Sequence, residues 1–483
     1  MCILAPARVI SVICNKNKNN HLRVNIPKPK KSFLAYLGPS IILVALSVSG
    51  GEMLLWPSLV TNYGLDILWP VPIILLLQYF VNIEIERYAL VTGRSTGNDL
   101  LGKYKVLAPI FAITILAALV WPAWFVTAAN LTAFVFGWEG SDTAWYGAFI
   151  ASAFLLIAYY VFNRKQTYYI LERVAKVGLI LALLIIIFVV YLRFDFAMFM
   201  QGVRGLFEFG YVPDNIDRFA FVGALAYGGV AGVLNLVQAD WVRGKGYGVN
   251  SLTRREIRDI DHGSHASRAN FRLWFKIISK EHFFLYVLGN LVSIFLLAYL
   301  GSLLLPQGST SGFGVLINEI LVLNNFFPSL GYLFAISGIS IFFMANLTIL
   351  DAIGRLSSGV LLAYKKSKYF DHNFISRIAC LIGIAILMLS IFIPEFKQPF
   401  FLLLVSAVLS AGTMWLYPPL LIRLNRTLPQ NQRPANWRSL ILILCALFYG
   451  FVTLWSLSQY LNFNFVIILG IVVTVIQYLI VRD

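Results

Sequence analysis

The sequence predicts an all-α integral membrane protein of about twelve transmembrane helices, arranged as an inverted repeat of five spans plus five with helices one and six broken. Three observations carry this. The 483 residues are 59% hydrophobic and 12% charged, with mean hydropathy +0.78, whereas soluble domains carry roughly 25% charged residues. The basic residues crowd into alternate segments between apolar runs. Two of the apolar runs, five spans apart, are each cut by a glycine pair.

The apolar runs are Leu34 to Val60, Ile67 to Ala89, Leu107 to Leu131, Thr143 to Phe162, Ile170 to Leu192, Phe219 to Val242, Phe283 to Leu305, Leu330 to Ile353, Ile375 to Pro394, Pro399 to Ile422, Leu440 to Gln459 and Phe463 to Val481. Each is long enough, or nearly so, to cross a hydrocarbon core as a helix. With the N-terminus inside and the spans alternating, 34 of the 38 Lys and Arg fall in inside segments or the span ends beside them. Arg193, Arg204, Arg218 and Lys397 make up the rest. That asymmetry sets orientation by the positive-inside rule, and it predicts a multi-pass cell (inner) membrane protein with a cytoplasmic N-terminus. Residues 1–33 read as a cytoplasmic tail, because the apolar stretch Ile3 to Cys14 is short and interrupted by Arg8. Residues 34–483 read as one transmembrane domain with a long cytoplasmic loop, 243–282.

The net charge of +16 does not point to nucleic acid, since it follows membrane topology. The loop cluster Arg254, Arg255, Glu256, Arg258, Asp259 and Asp261 reads as a solvated, lipid-facing surface. The lipid bilayer is the expected partner. His262 and His265 lack further ligands nearby and read as surface residues. Cys2, Cys14, Cys380 and Cys445 show no paired spacing, which argues against a disulfide framework or metal cluster.

Span one contains Ser47-Val48-Ser49-Gly50-Gly51-Glu52. A carboxyl at membrane depth is costly and is kept mainly where it lines a cavity or pathway. Glycines release backbone groups from the helix ladder, which hydrocarbon tolerates only where protein or a polar cavity takes them up. A broken helix with an acid at the break is a common way for secondary transporters to build an ion or substrate site. Span six reads Tyr227-Gly228-Gly229-Val230-Ala231-Gly232. Each glycine weakens a helix by roughly 1 kcal/mol relative to alanine. Close helix packing through the small pair Gly228 and Gly232 explains those two and leaves Gly229 unexplained, so a second break facing the first is expected.

The other polar residues in or beside the spans divide into pathway and structural candidates. Glu84 and Glu86, with Arg87, end span two as an interfacial ion pair or as an exit path for a proton or ion. Asp240 stands near Trp241 and Arg243, either paired structurally or lining a cytoplasmic vestibule. Asn235 and Gln238 lie near the second break. Asp351 and Arg355 have the spacing of a helix salt bridge. Asn130 and Asn346 read as helix bridges.

The stretch from Gly38-Pro39 through Tyr63-Gly64, Ile67-Leu68-Trp69, Leu76-Leu77-Gln78-Tyr79 and Val91-Thr92-Gly93 resembles the opening of the Nramp family of divalent-metal transporters. The resemblance implies a LeuT-like inverted repeat. It departs at the site itself. The family's Asp-Pro-Gly-Asn falls on Ser49-Gly50-Gly51-Glu52, so both ligating side chains are changed. The family's Met-Pro-His in span six, whose Met sulfur is a metal ligand, is replaced by Gly228-Gly229-Val230-Ala231-Gly232. The resemblance is therefore to a divergent, Nramp-related branch.

The site this chain offers is all-oxygen with one formal charge: Glu52, Ser49, carbonyls near Ser47 and Val48, and carbonyls near Gly228. Gly50, Gly51 and Gly229 form its backbone, and Ser49 and Glu52 are the metal-ligating candidates. Oxygen donors suit Mg²⁺, Ca²⁺ or Mn²⁺ more than soft ions, and a partly hydrated hard cation fits them. The expectation is a secondary transporter, a symporter if a proton is the coupling ion. The alternative is a LeuT-like transporter of another small solute, an amino acid or organic cation, with Glu52 as its ion or proton site. An enzyme is disfavoured: the sequence has no nucleotide loop, no His-Glu-xx-His and no Ser or Cys with a nearby His in a span. No cofactor is expected.

Overall fold

The computed structural model describes residues 24–29, 36–119, 123–138, 143–164, 166–230, 232–308, 312–365, 371–390 and 399–482. Most of the expected tail, 1–33, lies outside these residues, as does Ala231. Ten helices among the described residues are long and apolar enough to cross a membrane. The described residues of the twelve expected spans fall largely on helix, the main exception being the break in span six; residues 34–35, 120–122 and 391–394 of spans one, three and nine lie outside the described residues. The third comprises two helices, Leu107–Leu119 and Ala123–Val135, and the twelfth is Phe463–Arg482.

Span one begins at Pro39, whose ring fits a first helical turn. Its interruption takes a different form from the one expected. The chain is not unwound. It passes from α-helix, Pro39–Ser47, into a π-helix, Val48–Leu55, and back to α-helix, Trp56–Tyr63. The Trp56 N–H reaches back five residues to Gly51 O. The backbone groups stay paired through wider rings, which is how a helix absorbs an extra residue without exposing amides to hydrocarbon.

Span six breaks outright. Asp217 caps its first helix, Arg218–Tyr227, by accepting from the Phe219 and Ala220 amides at 2.9 and 3.2 Å. The helix stops at Gly228. A turn, residues 228–230, follows, and further on a 3-10 helix, Gly232–Val237, leads into a short helix, Gln238–Lys245. Gly229 and Gly232 have φ of +141° and +87°, conformations that side-chain-bearing residues rarely adopt. Gly229 is thus required by the break, not by packing alone.

The segment read as a cytoplasmic loop is largely helical. Ser264 caps a helix, His265–His282, which runs straight into span seven through a π-turn, Phe283–Leu288, and ends at Leu304. Its basic residues hid an apolar stripe, Phe271, Trp274 and Ile278, all buried. Residues 24–29 lie along it: Val24 exchanges backbone hydrogen bonds with Asp259 and Asp261, and Trp274 Nε1 donates to Pro27 O at 2.7 Å. The Asp351–Arg355 bridge forms, at 2.7 Å, and Trp241 Nε1 donates to the same carboxylate oxygen at 2.9 Å. This ties the C-terminal half of span six to span eight, Pro328–Lys365.

Candidate functional site

The two interrupted spans touch at their glycines. A Cβ on Gly51 would lie 1.8 Å from Tyr227 O and 2.8 Å from Gly228 N. Only a hydrogen at that position lets the π-helix lie against the end of the span-six helix. A Cβ on Gly228 would lie 2.6 Å from Trp56 Nε1, and one on Gly229 would meet the Gln78 Oε1 and Tyr286 hydroxyl at 2.5 and 2.6 Å. Gly50 faces the ring edge of Trp124, which stacks on Phe342.

Glu52 sits in the π-helix and is fully buried. Its Oε2 accepts a hydrogen bond from the Ser293 hydroxyl of span seven, and its Oε1 has no hydrogen-bond partner. The surroundings are oxygen- and amide-rich. Ser47 donates to Asn290 Oδ1 at 2.7 Å and to Val44 O at 2.9 Å, and Asn290 Nδ2 has no partner. Ser49, the other candidate ligand, is turned back on its own helix, donating to Leu46 O at 3.0 Å. No hydrogen bond joins it to Glu52 among the described residues. No group of three or more His, Cys, Asp or Glu poised for a metal occurs there either, so a cation at Glu52 would rely on hydroxyl, amide and backbone oxygens.

A polar seam continues from the span-six break. Tyr286 accepts the Val230 N–H at 2.9 Å and donates to Gln78 Oε1, and Gln78 Nε2 donates to Tyr449 OH at 2.6 Å. Asn235 is buried with only a long contact to Met414 Sδ, 3.9 Å, and its Oδ1 is unpartnered.

The remaining candidates separate. Glu84 is held by Arg87 at 2.7 Å and Arg438 at 3.1 Å, with Asn425 also donating to it. Glu86 is not part of that ion pair. It points instead to Gln238 Nε2 at 2.7 Å and His282 Nδ1 at 3.4 Å. Asp240 pairs with Arg243 at 2.5 Å and accepts from Ser95 at 2.9 Å.

Sequence reading missed Asn290 and Ser293. Their signal was available: two polar residues three apart in an apolar span lie on one helix face. Their pairing with span one was not legible, because it depends on how spans one and seven pack.

The described helices define a multi-pass, all-α membrane protein. Its fold is shared with crystal structures of the Eremococcus coleocola manganese transporter. A histidine-to-alanine variant of that protein matches with TM-score 0.68 at 12% identity, over 95% of this chain and 97% of that one. The same transporter in complex with an aromatic bis-isothiourea compound matches with TM-score 0.68 at 13% identity, over 95% and 96%. This agrees with the fold that the Nramp resemblance implied. No protein-family model matches the chain, and neither does any curated protein sequence.

Proposed function

We propose that this chain is a secondary active transporter of a hard divalent cation of the Mn²⁺ or Mg²⁺ kind, with Glu52 as the acid of the central site and a proton as the coupling ion. One observation carries the reading. A carboxyl is buried one residue beyond Gly51, where the two interrupted spans touch; it faces span seven, with one oxygen accepting from Ser293 and the other without a hydrogen-bond partner. An unpaired polar atom at membrane depth is costly unless something binds it. Ser47 lies within hydrogen-bonding range of the carboxyl, and its hydroxyl is bonded to the Asn290 amide oxygen, so the oxygens nearby are of the class that suits hard cations. The manganese transporter with the same fold supports a metal cargo. The 34-to-4 charge asymmetry supports an N-terminus on the cytoplasmic side of the cell membrane.

A second reading rests on Trp56. Its Nε1 is buried beside Gly228 without a partner. An N–H donor cannot ligate a cation but suits an acceptor group on an organic solute. The deciding experiment is flux in liposomes containing the purified protein, across Mg²⁺, Mn²⁺, Ca²⁺ and an amino-acid panel. Saturable Mn²⁺ or Mg²⁺ uptake supports the cation reading. Uptake of an organic solute with no divalent-cation flux would replace it with the second.

A further inference from the structure

On the inner side of the span-six break lies a second buried polar cluster that the central site does not use. Glu86, Glu281 and His282 are each fully buried, as are Ser40, Asn82 and Gln238 around them. His282 Nδ1 is 2.9 Å from Ser40 Oγ and 3.4 Å from Glu86 Oε1. Its Nε2 is 3.0 Å from the Asn82 amide. Glu281 Oε1 accepts from the Gly38 and Ser40 amides at 3.0 and 3.2 Å. Glu86 Oε2, Glu281 Oε2, Asn82 Oδ1 and Gln238 Oε1 have no partners. Two carboxyls and an imidazole therefore share a buried space, with no Lys or Arg among their direct hydrogen-bond partners.

The hydrogen-bond pattern accommodates two proton counts. With the Asn82 NH2 group facing Nε2, that nitrogen accepts, and the ring proton sits on Nδ1 toward Ser40 and Glu86. With the Asn82 amide rotated, Oδ1 accepts from a protonated Nε2–H, and Nδ1–H still faces Glu86. The imidazole is thus partnered both neutral and charged. Transfer is local: the Nδ1–H bond of the imidazolium breaks, an O–H bond forms at Glu86 Oε1, and a charged pair becomes a neutral one.

The cluster is joined in both directions. Toward the centre, the His282 ring stacks on Tyr286 with centroids 4.7 Å apart, and Tyr286 holds the Val230 N–H at the break. Gln238, which opens the inner helix of span six, holds Glu86. Toward the basic face, Gly38 lies against Lys245, Tyr168 and Glu172. Lys245 and Lys176 both pair with Glu172, and the Lys176 side chain is 36% exposed. Tyr79, Tyr286 and Tyr247 are the other titratable groups around the cluster.

We propose that His282, Glu86 and Glu281 form a second proton-binding site, which exchanges protons with the cytoplasmic face and couples their arrival to the inner half of span six. This rests on the transport reading for its purpose but not for its existence.

The test is pH-jump infrared difference spectroscopy on the purified protein in nanodiscs without divalent cation, paired with uptake driven by a pH gradient in liposomes. The expected result of the pH jump is an imidazole band that is lost in His282→Gln and a carboxyl band that is lost in Glu86→Gln. Both variants should also lose pH-driven uptake. If His282→Gln does not fold, Glu86→Gln and the wild-type imidazole band carry the test. Wild-type spectra with neither band would overturn the proposal, as would bands that persist in both variants. Bands that behave as expected in a protein that moves no divalent cation would uphold the proton site and overturn only the cation reading.

Discussion

Ser293 donates its hydroxyl hydrogen to Glu52 Oε2, joining span seven to the π-helix of span one, while Glu52 Oε1 is left open. The bond holds one carboxyl oxygen and leaves the other without a hydrogen-bond partner. Ser293→Ala removes a hydrogen bond to a charged group, which is worth about 1.5–3 kcal/mol. The expected outcome is cation affinity weakened by roughly tenfold or more, read by calorimetry on folded protein. Unchanged affinity would mean that the bond does not position the ligand.

Gly51→Ala tests the contact between the breaks. The added Cβ meets backbone, Tyr227 O at 1.8 Å, so no side chain can turn away to admit it. A loss at least in the usual overpacking range of about 1–3 kcal/mol is expected, read as a lower melting temperature in detergent. Gly50→Ala meets the Trp124 ring edge instead and is expected to cost less.

Glu84→Gln separates stability from transport. Glu84 is the shared partner of Arg87 and Arg438, with side-chain exposures of 1%, 5% and 15%. Removing its charge leaves cations without a counter-charge, a loss of up to about 3–5 kcal/mol. Protein yield and melting temperature should fall, while uptake per folded molecule should fall less than in Glu52→Gln.

Selectivity follows from donor type. The second break offers glycines where the Nramp pattern places a Met sulfur. Soft Cd²⁺ should therefore bind no more tightly than Mn²⁺, measured by competition at the central site. Tighter Cd²⁺ binding would point to a sulfur ligand, and Met414, beside Asn235, would be the first to examine.

The span pattern was legible because apolar length and basic-loop asymmetry are one-dimensional signals. The glycines marked both interruptions, but not their form. Gly229, which close packing left unexplained, pointed to the span-six break, but the positive φ of Gly229 and Gly232 emerged only in the structure, and nothing local distinguishes a π-winding at Gly50-Gly51 from an unwound stretch. The helix His265–His282 was obscured by its charge density, since nine Lys and Arg between 243 and 282 outweighed a three-residue apolar stripe. At the site, Glu52 stood out by its cost in an apolar run. Ser293 and Asn290 did not, nor did His282 in its own cluster, because their contacts come from the packing of span seven against spans one and two. Ser49 looked equivalent to Glu52 by position, yet its hydroxyl satisfies its own helix.

The most direct test of the central claim is divalent-cation uptake by reconstituted Glu52→Gln over a range of external pH. The substitution keeps size and hydrogen-bonding capacity and removes the charge. With the internal pH matched to the external, so that no proton gradient drives uptake, a proton and a cation compete for one carboxylate, and wild-type uptake should fall as the pH drops. The account predicts that Glu52→Gln folds, inserts, loses most uptake and loses that pH dependence. Wild-type flux with an unaltered pH profile in Glu52→Gln would contradict it and move the site away from the two breaks.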